Sequence, residues 1–338
     1  MQSHFVQTRD LRVHYLQEGT GDPVIFIHGF PETAYEWRHQ MKALSDSYAC
    51  FAPDMRGFGE TDKPGARVTR AMLGQDVINF MDALGIEKAH VVGHDWGGII
   101  AFKTAIDHPE RITRLAMLDT LCTVWSPAGR HGYWFKAEGL AEQFFADHHD
   151  LFIRVLFGGA DSAGLGGHPE NPWAIPPGGR PRPAWIDDEA LDEYRTAFAD
   201  PEAWASAIAY YRYALPFHIV GQAPDGRERF TSLSERDVGE MRRGGLEQDP
   251  RYASYMDYGP DDRHKRYPHP VLWLYGSYRM GSIEQGSARL PAGNPFFDQF
   301  ARYFGDLRAR AVGAGHFLGE EEPAYVNECL LAFLRGDL

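Results

Sequence analysis

Residues 91–98 read VVGHDWGG, and no other stretch constrains the fold of this chain as strongly. An apolar run passes through Gly93, His94, Asp95, Trp96 and Gly97, and a helical pattern begins at once, running to about Ile106. A strand that turns this abruptly into a helix has no room for a side chain at Gly93 or Gly97. The G-x-Asp-x-G spacing therefore has the form of a nucleophile elbow. Asp95 would stand at the positive end of the helix, where an ionised carboxylate is favoured. The competing explanation is an aspartate that only caps the helix in a glycine-rich turn.

The elbow sits within a regular alternation. Leu11–Tyr15 is amphipathic, while Val24–Ile27 (VIFI), Cys50–Ala52, Ala89–Val92 and Leu115–Leu118 are short apolar runs suited to strands covered on both faces. Arg70–Leu84 repeats apolar residues at helical spacing and stops at Gly85. This order predicts an α/β fold, a mostly parallel doubly wound sheet with helices on both faces. After Asp119 the pattern changes to helical segments over 140–157 and 188–213, with few strand signals. Between them 158–183 is rich in Gly and Pro, and 221–269 is charged and ends in DDRHKRYPH, which reads as a solvated connector. Alternation resumes at Val271–Tyr275, Ala309–Val312 and a closing helix over 323–334. The expected division is a core of residues 1–121 and 269–338 interrupted by a mostly helical cap of residues 122–268.

Composition narrows the function. A net charge of −13 without a compensating basic block repels polyanions, so a nucleic-acid partner is not expected. No apolar run approaches membrane-spanning length, and the N-terminal residues lack the form of a signal peptide. Cys50, Cys122 and Cys329 are far apart in the sequence and read as reduced thiols of a cytoplasmic protein. His148, His149, His264 and His269 match no metal-ligand spacing, so no metal or cofactor is expected.

Two further stretches bear on the elbow. IHGFP (27–31) follows the first central strand, and the backbone N–H groups of Phe30 and Trp96 are the expected donors to a developing oxyanion. In an open α/β sheet the carboxyl ends of the strands converge on one crevice. His316, in AGHFLGEEEP after the last strand, is therefore the candidate general base. A lone histidine is more often a surface residue, so this assignment rests on the order of nucleophile first and histidine last.

Together HGFPETAYEWR (28–38), PDMRGFGETDKP (53–64), VVGHDWGG (91–98) and GHFLGEEEP (315–323) resemble the α/β-hydrolase superfamily. The resemblance is to its aspartate-nucleophile branch, epoxide hydrolases above all, with haloalkane and haloacetate dehalogenases related. Asp95 replaces the serine of esterases. The resemblance implies a covalent ester on Asp95 that water, activated by His316, hydrolyses, giving a vicinal diol from an epoxide. Many relatives place the triad acid after the strand matching Val271–Tyr275, but the run Gly276–Gly281 carries no carboxylate. Other relatives place it where Asp119 stands, and Glu284 and Asp298 are reserves; a loop cap is the structural alternative for Asp119.

The resemblance also implies cap residues that donate to the epoxide oxygen. Tyr211 in AYYRYA matches one, with Tyr210 and Tyr213 adjacent. His131 falls at the other, with Tyr133 and Trp134 close by. Trp134, Tyr133, Tyr210 and Phe317 are the expected substrate-lining residues, and the aromatic content, Trp173 included, suggests an apolar or aromatic epoxide. Water is the only co-substrate implied. A haloalkane or haloacid dehalogenase using the same Asp95 is the first alternative. It is disfavoured because Phe30 replaces a common halide-binding asparagine and no arginines follow the nucleophile. A non-catalytic ligand-binding relative is the second alternative. The long segments 158–185 and 218–268 leave both lid elements and a homodimer interface open.

Overall fold

The computed structural model describes residues 1–65, 67–158, 183–279, 283–288 and 295–338. Trp173 and most of the Gly/Pro-rich stretch lie outside them. Twelve strands form among the described residues: β1 (Gln2–Gln7), β2 (Arg12–Glu18), β3 (Asp22–Ile27), β4 (Tyr48–Pro53), β5 (Ala89–His94), β6 (Ile112–Leu118), β7 (Val124–Trp125), β8 (His218–Gln222), β9 (Glu228–Ser232), β10 (Met256–Asp257), β11 (Val271–Gly276) and β12 (Leu307–Val312). The chain divides into two compact units. One comprises Met1–Pro64, Arg70–Cys122 and His264–Leu338; the other comprises Gly65–Thr69 and Thr123–Arg263.

The first unit is built on an eight-stranded sheet of order β1-β2-β4-β3-β5-β6-β11-β12. β1, β2 and β4 run antiparallel in turn, and every other neighbouring pair is parallel. This is the mostly parallel α/β sheet expected from the alternation of elements. The central strands are apolar throughout because both faces are covered: Val24, Ile25, Phe26 and Ile27 are each 0% exposed. One layer of the core packs Phe26 and Leu274 with Trp37, Met41, Leu330 and Phe333 from helical segments. β1 escaped the sequence reading because its residues are mostly exposed, with no buried apolar face to betray a strand. Residues 264–269 were expected as a solvated connector but are anchored in this unit. The Tyr267 N–H donates to the Tyr303 carbonyl at 3.0 Å, and its hydroxyl donates to the Ile112 carbonyl at 3.0 Å.

The second unit is not simply helical. It contains a four-stranded antiparallel sheet of order β7-β10-β8-β9. The β8–β9 hairpin lies largely within the charged stretch 221–269. Its strands are wet on both faces and lack the alternation that signals a half-buried strand. The expected single helix over 188–213 is two helices, Asp188–Ala197 and Pro201–Ala209, followed by a π-helical turn, Tyr210–Ala214. Asp200 caps the second helix through the Glu202 N–H at 2.9 Å, and Pro201 occupies its first turn, which ends the helix before it. No helix among the described residues is long and apolar enough to cross a membrane.

Phe26 is wholly buried and its ring lies 5.2 Å from that of Trp37. Phe26→Ala is expected to remove about 3–5 kcal/mol of stability, measured as a lower denaturant midpoint; a loss below about 1 kcal/mol would contradict this packing.

Candidate active site

β5 ends at His94 and the helix Trp96–Asp107 begins two residues later. Asp95 joins them at φ 50° and ψ −118°, a backbone conformation that costs a non-glycine residue of order 1–3 kcal/mol. A Cβ on Gly93 would lie 2.3 Å from the Gly97 carbonyl oxygen, and one on Gly97 would lie 1.9 Å from that of Ile27. The Asp95 N–H donates to the Leu118 carbonyl at 3.2 Å, and the Thr120 hydroxyl donates to the Asp95 carbonyl at 2.5 Å. The Asp95 side chain makes no capping bond to the helix. It is turned to other partners.

Oδ1 of Asp95 accepts the Phe30 N–H at 3.0 Å, and Oδ2 lies 3.4 Å from Nε2 of His316. Burial would raise the Asp95 pKa. The hydrogen bond and charge of His316, the charge of His94 and the Phe30 N–H outweigh it and hold the carboxyl well below the usual range. Trp96, the other expected oxyanion donor, opens the helix at the end where N–H groups lack acceptors in their own helix.

Of the three carboxylates the sequence offers as triad acid, Asp119 meets the imidazole. Its Oδ2 lies 2.6 Å from Nδ1 of His316, and its Oδ1 accepts the Gly276 N–H at 3.1 Å. Asp119 follows β6, which pairs with β11 so that Leu118 is opposite Leu274. An acid at the end of β6 thus reaches the same imidazole that one after β11 would, and it accepts the N–H of Gly276 at the end of β11.

Sequence reasoning missed a buried shell beneath these residues. Nε2 of His94 lies 2.8 Å from the His316 carbonyl oxygen, while Nδ1 lies 2.8 Å from Glu36 and 3.2 Å from Glu32. Nε2 faces a carbonyl oxygen and Nδ1 lies beside two carboxylates, a setting that favours the imidazolium form. Burial opposes that charge, but Glu36 and Glu32 together keep the pKa of His94 well above its ordinary value. Glu36 also accepts the Gly29 N–H at 2.8 Å. Burial, with the like charge of Glu36 beside it, pushes Glu32 up to about 7. The available signal was a pair of acids four residues apart in HGFPETAYEWR. Glu32, Glu36 and His94 bring one potential metal-ligand atom each to within 4.8 Å of one another. The short distances from His94 to Glu36 and Glu32 make them a charge-coupled cluster.

In the second unit, His131 lies on the helix Arg130–Lys136 and Tyr211 in the π-helical turn. Their rings are 5.8 Å apart, and Tyr211 stacks on Phe135 at 4.2 Å and 3°. Lys136 and Arg212 brace the two elements in opposite directions. Nζ of Lys136 donates to the carbonyls of Tyr211, Arg212 and Leu215 at 3.2, 2.9 and 2.5 Å. Arg212 donates to the Phe135 carbonyl at 3.1 Å and pairs with Glu142. Of the expected lining residues, Trp134 packs edge-on against Phe135, Phe144 and Phe145, and Tyr133 packs against Phe217 and Tyr252. Tyr210 is buried in the turn, and the Phe317 ring lies 5.1 Å from that of His316.

The alpha/beta hydrolase fold profile matches residues 22–323. The chain belongs to the alpha/beta hydrolase fold family. It is 34% identical over 225 residues to epoxide hydrolase 3 of Siraitia grosvenorii, a match covering 61% of this chain and 71% of that protein. It is 37% identical over 118 residues to a soluble epoxide hydrolase of Corynebacterium sp. (strain C12), covering 35% of this chain and 41% of that protein. Among solved structures, an epoxide hydrolase from an endophytic Streptomyces superposes with a TM-score of 0.67 at 24% identity, covering 99% of this chain and 95% of that one. Such a likeness speaks for the fold alone.

The Glu32 pKa, raised from 4.5 to about 7, means that the folded chain holds a proton the unfolded chain has released. Its stabilising contribution is complete below about pH 4.5 and is lost as pH rises through about 7. Glu32→Gln, which keeps the neutral shape, is expected to flatten this slope, worth on the order of 3 kcal/mol. Denaturant midpoints measured from pH 4.5 to 7.5 test it; parallel curves for wild type and variant would contradict the assignment.

Proposed function

We propose that this chain is an epoxide hydrolase acting on small apolar or aromatic epoxides. The observation that carries the reading is the position of the Asp95 carboxylate, with Phe30 N–H on one oxygen and the His316–Asp119 pair behind the other. The similarity to epoxide hydrolases over most of one relative's length supports it independently.

In the proposed reaction an Asp95 oxygen attacks one epoxide carbon and the strained C–O bond breaks. Tyr211 supplies a proton to the departing oxygen while His131 hydrogen-bonds it, leaving a hydroxyalkyl ester on Asp95. His316 then takes a proton from water, and the hydroxide attacks the ester carbonyl carbon. Asp119 holds the Nδ1–H tautomer and stabilises the imidazolium. The N–H groups of Phe30 and Trp96 hold the tetrahedral oxyanion, and each such donor is worth roughly 3 kcal/mol of barrier. Collapse releases the vicinal diol, and one oxygen of the Asp95 carboxylate now derives from water. The inserted segment, residues 122–268 in the sequence reading, supplies both oxygen donors, and Tyr133, Trp134, Tyr210 and Phe317 shape the substrate space.

Single-turnover reaction in heavy-oxygen water is expected to place label in the Asp95 peptide, with unlabelled diol in the first turnover. Labelled diol in that turnover would mean direct attack by water and would sink the covalent scheme. Asp119→Asn should accumulate the ester, with its hydrolysis slowed about 10⁴-fold. Tyr211→Phe should instead slow ester formation by at least about 100-fold. A panel of epoxides and haloalkanes separates the nearest alternative, because halide release outpacing diol formation would make the chain a dehalogenase.

A further inference from the structure

A second arrangement of a hydroxyl, an imidazole and a carboxylate lies at the edge of the sheet. The Ser3 hydroxyl on β1 is 2.9 Å from Nε2 of His14 on β2, and Nδ1 of His14 is 2.7 Å from Oδ2 of Asp54. Asp54 is almost wholly buried and accepts the N–H groups of Ala34 at 2.8 Å and Glu60 at 2.9 Å. Burial would raise its pKa, but the bond from His14 and nearby positive charge outweigh it, and the carboxyl is held below its ordinary value. With the Asp54 carboxylate 2.7 Å from Nδ1, the singly protonated tautomer of His14 that fits this contact carries its hydrogen on Nδ1. The lone pair of Nε2 is then left for the Ser3 hydroxyl, the orientation a general base requires.

The surroundings suit a reaction with a small ester. Ser3 itself is exposed, whereas His14 is buried. Met1, Ser3 and Phe5 alternate along one face of the strand, and Met1 and Phe5 are exposed apolar side chains at 48% and 39%. The Phe5 ring lies 5.1 Å from that of His14 and carries the Arg12 guanidinium over its face at 3.5 Å. β1 is the terminal strand of its sheet, and a terminal strand directs alternate N–H groups outward, where they can meet a developing oxyanion. Glu60, exposed, also lies 3.7 Å from Nε2.

We propose that Ser3, His14 and Asp54 form a second reactive site, at which the Ser3 hydroxyl accepts the acyl or phosphonyl group of a small apolar ester or phosphonofluoridate. Oγ bonds to the electrophilic carbon or phosphorus, its proton passes to His14 Nε2, and the bond to the leaving group breaks; an alkoxide takes up that proton, whereas fluoride leaves as the anion and the imidazolium returns its proton to solvent. For an acyl group, water activated by the same imidazole then releases the acid and restores the serine. This chemistry is separate from the Asp95 reaction and stands whether or not the chain opens epoxides.

The test treats the full chain with an alkyl fluorophosphonate and reads intact mass and peptide maps. One phosphonyl group is expected on Ser3 of the folded protein, absent from Ser3→Ala and formed about 100-fold more slowly in His14→Gln. Unfolding the wild type in urea should reduce Ser3 labelling to that of the other serines, a comparison that does not depend on the folding of a His14 variant. An adduct missing from Ser3, or one that forms as fast in His14→Gln or in the unfolded chain, overturns the proposal.

Discussion

The backbone at two aspartates is held in a conformation that an isolated peptide would leave, and the packing around them supplies the restraint. Among the described residues Asp95 and Asp119 are the non-glycine positions with positive φ, at 50° and 39°. Each costs of order 1–3 kcal/mol, so neither persists unless neighbouring structure leaves it no alternative. For Asp95 the restraint is the near-collision of two chain segments, with the Gly97 Cα close to the carbonyls of Ile27 and His28. For Asp119 it is the N–H bond to Leu274, formed as β6 ends beside β11. Strain at these two places gives both carboxylates fixed directions, and His316 spans the gap between them.

Charge imposes the second constraint. Asp95, Asp119, Glu32 and Glu36 bring four carboxyl groups toward His94 and His316. Four bare anions in so small a volume would repel one another strongly, and burial would intensify it. The shell avoids this by holding a proton with Glu32 and keeping His94 charged. That buried cation also helps Asp95 remain ionised, as the proposed nucleophile must. In the proposed reaction the negative charge of Asp95 is consumed when the ester forms. It returns as an oxyanion at the moment His316 becomes positive beside Asp119, so charge changes in the second step are matched across a few ångströms.

The parts that were legible in the sequence are those enforced by steric or solvation rules with a short-range signature. The glycines around Asp95, the apolar runs of β3, β5 and β11 and the position of His316 after the last strand belong to this class. Asp119 was legible only by comparison with related sequences, because its partner strand end at Gly276 is far away in the chain. Glu32, Glu36 and His94 were not legible as a set. Two acids within a mostly apolar stretch look like a wet loop until tertiary structure brings an imidazole to them. The β8–β9 hairpin failed for the opposite reason. Its strands bury so little on either face that no periodicity survives, and pairing rather than patterning defines them.

The bracing of the second unit shows how a buried charge can serve geometry. Lys136 is almost wholly buried, and burial lowers its pKa to about 7. Yet it donates to three carbonyls at the end of the π-helical turn. Three acceptors match the three hydrogens of an ammonium, and carbonyls at that end of a helical segment carry the favourable sign of the backbone dipole. Arg212 makes the converse connection, from the turn back to carbonyls of the helix that carries His131. A loop joined at one point can pivot, whereas two oppositely directed clamps leave Tyr211 little freedom beyond rotation of its own side chain. A π-helical turn is a poorly favoured conformation that tends to persist where function requires it. Here the two cations hold it, and the residue they fix, stacked face to face on Phe135, is the one whose hydroxyl the proposed chemistry needs.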